Sequence, residues 1–119
     1  MKKVLILNGH QYYDVVAKGD LTNHYIDCAN KFFEENGFEV KQTHIEKGYT
    51  IQEEVEKFKW ADYILFQYPV YWMSLPWIAK KYIDETFTQG VHYESDGRSR
   101  SDASKLYGSG GLMQDKKYM

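Results

Sequence analysis

Lys3-Val4-Leu5-Ile6-Leu7-Asn8, KVLILN, followed at once by Gly9, decides how the rest of the chain is read. A short, unbroken apolar run closed by turn residues is the pattern of a strand covered on both faces. Its four apolar residues are too few for a signal-peptide core or a membrane span. Beyond it lies a polar, aromatic loop, HQYYDVVAKGD. Asp20 is the expected N-cap of a first helix, because a carboxylate accepts the free backbone N–H groups there. Leu21, Tyr25, Cys28 and Phe32 follow at helical spacing and predict the inward stripe, which makes Cys28 a packing residue. Gly37 supplies the left-handed residue that closes such a helix.

The same alternation continues to the end of the chain. Phe38 to Ile45 reads as a strand near a sheet edge. Thr50-x-x-Glu53 is a capping box. The helix it opens carries Ile51, Val55 and Phe58 on one stripe, with acids early and Lys57 and Lys59 late, as the helix dipole favours. Tyr63 to Tyr68 is the third strand, stopped by Pro69. Pro76 suits the first turn of a third helix running to about Thr88, with Ile78, Tyr82 or Ile83, and Phe87 inward. Val91 to Gly111 is polar and rich in glycine and serine, a loop of functional or disordered type. KKYM at 116–119 opens a fourth strand.

Strand–helix alternation predicts an α/β fold, a doubly wound parallel sheet with right-handed crossovers in one domain over residues 1–119. With three strands and the start of a fourth, the domain is expected to be incomplete. A sheet of order 2-1-3-4-5 places its ligand beyond the carboxyl ends of strands 1 and 3, where the winding reverses. The two loops of interest therefore follow Asn8 and Tyr68.

Composition bounds the partners. The 119 residues carry a net charge of −2, and no basic block marks a nucleic-acid surface. One cysteine excludes an internal disulfide and fits a reducing cytoplasm. His24, His44 and His92 are scattered without metal-ligand spacing, and His10 reads as a surface histidine. Arg98 and Arg100, beside Asp96 and Asp102, read as a solvated, paired loop rather than a phosphate site. The loop Tyr68-Pro-Val-Tyr-Trp-Met-Ser-Leu-Pro-Trp77 is loaded with aromatics where polar residues are the rule. Two readings stand level: a hydrophobic lid, or a wall that stacks a planar ring such as a flavin while backbone N–H groups meet its polar edge.

Trp60-Ala-Asp before the third strand, Pro69-x-x-Trp72-Met73-x-x-Pro76-Trp77 after it, then Lys80-Lys-Tyr-Ile-Asp84 and Tyr107-Gly-Ser-Gly-Gly-Leu112 together resemble the modulator-of-drug-activity-B family. That family belongs to the flavodoxin-like NAD(P)H:quinone reductases. The resemblance implies FAD rather than FMN, NAD(P)H as hydride donor through flavin N5, a quinone or similar small aromatic acceptor, a ping-pong cycle, and a homodimer or higher oligomer with sites at the subunit interface. By position it implies that Pro69, Val70, Tyr71, Trp72 and Met73 form the ring wall, with Trp77 structural. The resemblance also implies that Tyr107 lies near the flavin, from the partner subunit in one arrangement. Lys18, Gly19, Asp20 and Leu21 occupy the diphosphate loop, where the family's hydroxyl is missing and an acid replaces an amide. No side chain is singled out as acid or base. The alternatives are an FMN-dependent azoreductase or nitroreductase, a flavodoxin-type electron carrier, and an inactive structural fragment.

Overall fold

A computed structural model describes residues 1–119. Strand β1 (Lys3–Asn8) is followed by α1 (Asp20–Glu35), β2 (Glu39–His44), a 3-10 turn at Ile45–Lys47, α2 (Ile51–Trp60), β3 (Tyr63–Gln67), α3 (Trp77–Phe87) and β4 (Lys117–Tyr118). All neighbouring strands run parallel, in the order β2-β1-β3-β4. The doubly wound α/β expectation is met, with β2 at an edge and KKYM supplying β4.

The apolar run of β1 is buried on both faces because its side chains alternate between two layers. Val4 and Ile6 pack on Ile26 and Phe33 of α1. Leu5 and Leu7 pack on the other side with Ile45, Phe58, Ala61, Ile78 and Tyr82. Each fully buried aliphatic of this strand contributes about 1.5–3 kcal/mol relative to exposure. β3 is only half-buried along its length, and β4 pairs with it at Tyr63 and Ile64, with Phe66 N–H donating to Met119 O at 3.0 Å just beyond. An apolar cleft of about 630 Å³ lies against it, walled by Phe66, Ile83, Phe87, His92, Met113 and Met119 among others.

Four local expectations are corrected. The inward stripe of α1 is Thr22, Ile26 and Phe33 with Ala29 partly buried, not Leu21, Tyr25, Cys28 and Phe32, which all face solvent. The physical reason is a one-residue rotation: both stripes are helically periodic, and the one led by a threonine fits the groove over Val4 and Ile6. Cys28 is therefore exposed, with His24 Nε2 3.6 Å from its sulfur. The N-cap of α1 is Gly19, in left-handed conformation, and Asp20 is the first helical residue. Thr50 caps α2 through its backbone, with no side-chain bond to the helix, so the capping box does not form. Ile51 also lies at the rim of α2 rather than in the core.

Residues 88–116 form no helix or strand. A bridge between Tyr93 and Gly111 and the bond from Leu112 N–H to His92 O at 2.8 Å close the base of an arm. The arm explains a radius of gyration of 16.3 Å, wider than the roughly 13.5 Å expected of a compact chain this long. No helix is long and apolar enough to cross a membrane.

Candidate functional site

The loops after β1 and β3 meet at the carboxyl end of the sheet. Gly9 allows the approach: its N–H donates to Gln67 O at 2.8 Å, and a Cβ there would lie 2.8 Å from the Phe66 ring and 3.1 Å from Tyr68 Cβ. The β3 loop then makes a tight turn. Tyr71 and Ser74 exchange backbone hydrogen bonds at 2.8 and 3.1 Å, and the two residues between them, Trp72 (φ 47°) and Met73 (φ 66°), are both left-handed. Such a turn normally uses Asn-Gly. Holding two bulky residues there costs on the order of 1–3 kcal/mol each, and strain of this kind clusters at functional sites. The result lifts Trp72 and Met73 into solvent at 95% and 93% exposure.

Tyr71 points the other way and ties the turn to the β1 loop. Its hydroxyl donates to Gln11 O at 3.0 Å and lies 3.4 Å from His10 Nδ1. Its ring meets Tyr13 edge-on at 5.6 Å between centroids. Burial, and then the neighbouring Tyr13 and Glu46, push its phenol above the ordinary tyrosine value, so it stays a donor at neutral pH. Glu46 braces the loop from the side, accepting from Tyr12 N–H at 3.0 Å and Gln11 Nε2 at 3.2 Å.

His10 is the residue sequence reasoning misplaced. It is buried, not on the surface. Its backbone N–H donates to Asn8 Oδ1 at 3.0 Å, and its ring lies against Gly19, whose φ is +91°. A Cβ at Gly19 would sit 2.6 Å from His10 Cδ2 and 2.8 Å from Nε2. His10 Nε2 is shielded and has no hydrogen-bond partner. The only signal in the sequence was a glycine placed just before the helix, and its contact with a residue nine positions away is not a local property.

Pro69, Val70, Tyr71, Trp72 and Met73, expected to form a ring wall, and Lys18, Gly19, Asp20 and Leu21, expected to meet a diphosphate, thus belong to two segments joined through Tyr71 and His10. Lys18, Asp20 and Leu21 are exposed at the start of α1, and Gly19 is buried. Before its first acceptor, an α-helix leaves its first-turn amides free, and a phosphate fits there. An orphaned buried nitrogen beside those amides is the feature expected of a ligand-completed site. The residues present therefore fit the phosphate end of a flavin nucleotide. Tyr107 is not brought to this place within one chain: it lies on the arm, 78% exposed, with the Arg98 guanidinium 5.5 Å from its ring. Arg98 pairs with Asp96 at 2.6 Å, as the solvated-loop reading expected, and holds that carboxyl below the usual range. Asp102 bonds Ser104 instead of Arg100. Trp77, expected to be structural, opens α3 at 62% exposure, beside a second cleft of about 610 Å³ that also reaches Gln11, Glu46 and Tyr49.

The family described by a flavodoxin-like fold, Flavodoxin_2, matches residues 2–119. The chain is 40% identical over 118 residues to the NADPH:quinone oxidoreductase MdaB of Haemophilus influenzae, covering 98% of this chain and 61% of that protein. It therefore spans about three-fifths of that curated relative's length. Among solved structures it is similar to a candidate quinone reductase from Klebsiella pneumoniae, with a TM-score of 0.72 and 21% identity, covering 100% of this chain and 57% of the other. An FMN-dependent NADH-azoreductase from Bacillus anthracis, in complex with FMN, gives a TM-score of 0.66 at 14% identity over 99% of this chain and 66% of the other. At these identities the two structures speak for the fold.

Proposed function

Because the chain belongs to the Flavodoxin_2 family, we propose that it forms the flavin-binding part of an NAD(P)H:quinone oxidoreductase that uses FAD and reduces a quinone or similar small aromatic. The observation that carries this reading is the junction of the strained Trp72–Met73 turn with His10 at the start of α1. In this reading the turn offers its apolar side chains to the ring and the start of α1 offers a polar end to the phosphate, at the switch point of the sheet. The likeness to MdaB supports the choice of reaction. When bound, the flavin supplies two-electron transfer between NAD(P)H and the acceptor.

The chain's own part is to bind and orient. The first-turn amides of α1 and His10 hold the phosphate end, and Lys18 adds positive charge. Asp20 is exposed as the first helical residue of α1. Pro69, Val70 and the Tyr71–Met73 backbone set the ring, and Trp72 and Met73 keep water from its face. We infer a homodimer, because Trp72, Met73 and Tyr107 are large side chains left in solvent by one chain and a partner would cover them. In that arrangement Tyr107 serves the partner's site. The exposed free thiol of Cys28 supports a reducing, cytoplasmic setting.

FMN is the second reading, favoured by the FMN-bound fold neighbour. Extraction of bound flavin followed by mass measurement separates the two. NADPH oxidation dependent on both added FAD and menadione tests the reaction; oxidation that is indifferent to FAD contradicts it.

A further inference from the structure

Glu46 belongs to neither of the two loops that meet at the site, yet it is bonded into both. It sits in the 3-10 turn at Ile45–Lys47, just beyond β2. Ile45 does the packing there, buried with Leu5, Leu7 and Ile78, while Glu46 is exposed. Its Oε1 accepts from Tyr12 N–H at 3.0 Å and from Gln11 Nε2 at 3.2 Å. The Gln11 carbonyl in turn accepts the Tyr71 hydroxyl at 3.0 Å. Gln11 C=O and Tyr12 N–H are the two ends of one peptide group, which is planar and stiff. They point opposite ways, so Glu46 grips the plane from one side and Tyr71 from the other. An anionic acceptor on the N–H also polarises the amide and makes its carbonyl a better acceptor. Between Gln11 and Ala17 the other hydrogen bonds of the β1 loop stay within the loop. Glu46 and Tyr71 are thus what ties this stretch to the rest of the chain.

We propose that Glu46 is a positioning residue for the flavin ring: through the Gln11–Tyr12 peptide it fixes Tyr71, and with Tyr71 the attitude of the Trp72–Met73 turn. This role rests on the reading of that turn as the wall of a flavin. Glu46 touches no ligand and takes no part in the chemistry. Tyr71 opens the turn by bonding Ser74, and the two residues between them are left-handed. Backbone strained in this way persists only where its surroundings hold it, and the Tyr71 hydroxyl is its anchor on the β1 loop. The other neighbours of Tyr71 at this end, His10 Nδ1 at 3.4 Å and the Tyr13 ring at 5.6 Å, belong to the loop that Glu46 braces from outside. The carboxylate is also felt at the phenol itself, which burial first, then Tyr13 and Glu46, push upward.

Glu46→Ala, Glu46→Gln, Tyr71→Phe and the double variant Glu46→Ala with Tyr71→Phe, each in the full chain, are titrated with FAD by quenching of flavin fluorescence. Visible circular dichroism at saturation reads the setting of the ring. Glu46→Ala is expected to weaken FAD on the order of tenfold, the loss of one bond to a charged acceptor, and to alter the dichroism of the bound flavin. The unfolding midpoint of its flavin-free form is expected to stay near that of the wild type, as for an exposed side chain. Glu46→Gln keeps an acceptor oxygen without the charge, so its affinity is expected to lie between the two, with wild-type dichroism. Because Glu46 acts through Tyr71, the losses do not add, and the double variant binds FAD no more weakly than the weaker single variant. Wild-type affinity and dichroism in Glu46→Ala, additive losses in the double variant, or Glu46→Gln no better than Glu46→Ala overturns the proposal. So does a Glu46→Ala chain that fails to fold, which makes Glu46 a brace of the fold alone. Failure of the wild-type chain to bind FAD overturns the flavin reading itself, whereas FAD binding that Glu46→Ala leaves intact overturns only the positioning role.

Discussion

Tyr82 donates its phenol proton to Glu54 Oε2 at 2.7 Å, joining α3 to α2 beneath the sheet. Glu54 is 1% exposed and also accepts from Thr43 Oγ1 at 2.8 Å and Lys57 Nζ at 2.7 Å. A buried carboxylate is tolerated only with such partners. Burial, and then the carboxylate, push the Tyr82 phenol far above its ordinary value. Tyr82→Phe removes one bond to a charged acceptor, so urea unfolding is expected to show a loss of about 1.5–3 kcal/mol. Flavin affinity is expected to be unchanged, since Tyr82 lies in the core. A stability loss below experimental error would contradict the role assigned to the pair.

Gly19 carries both a left-handed backbone and contact with His10. Gly19→Ala adds about 1–2 kcal/mol of backbone strain and pushes the imidazole out of place. Lower thermal stability together with a large loss of FAD affinity is expected. An alanine variant that binds FAD normally would show that His10 does not need this cradle.

The strained turn separates stability from function. Trp72→Asn with Met73→Gly gives the turn the residues its backbone prefers. The double variant is expected to equal or exceed the wild type in thermal stability while binding flavin more weakly, as followed by quenching of flavin fluorescence. Unchanged flavin affinity would remove Trp72 and Met73 from the ring wall.

His92 stacks on Phe87 at 3.8 Å and meets Phe58 at 4.6 Å, with both ring nitrogens buried and unpartnered. Burial lowers its pKa from 6.5 to about 4. The unfolded chain then binds a proton that the folded chain refuses, so stability is intact above about pH 6.5 and falls as the pH drops toward 4. Below that value the folded ring also protonates and this dependence ends. His92→Phe is expected to flatten the wild-type decline in this window and to be neutral or stabilising at pH 7. An unaltered pH profile in the variant would assign the acid sensitivity to other groups.

The sequence showed the architecture clearly because β1 has only one reading. Val4, Leu5, Ile6 and Leu7 have no polar member, so the strand must be covered on both sides, and the parallel order follows from the alternation around it. α1 was less legible. Leu21, Tyr25, Cys28 and Phe32 form as periodic a stripe as Thr22, Ile26, Ala29 and Phe33, and only the sheet surface decides between them. Glu54 reads in the sequence only as one of the early acids of α2 that suit the helix dipole; its burial depends on Thr43 and Tyr82, which are distant in sequence. The candidate site was legible as two loops. Its connection was not, because His10, Gly19 and Tyr71 meet only once the sheet is assembled.

The measurement nearest to the central claim is the visible absorption spectrum of the purified chain as FAD is added. A shifted, structured flavin band that saturates with FAD, and that Trp72→Asn with Met73→Gly weakens, is the predicted result. A spectrum that remains the sum of free FAD and colourless protein at every concentration would contradict the claim that this chain binds flavin.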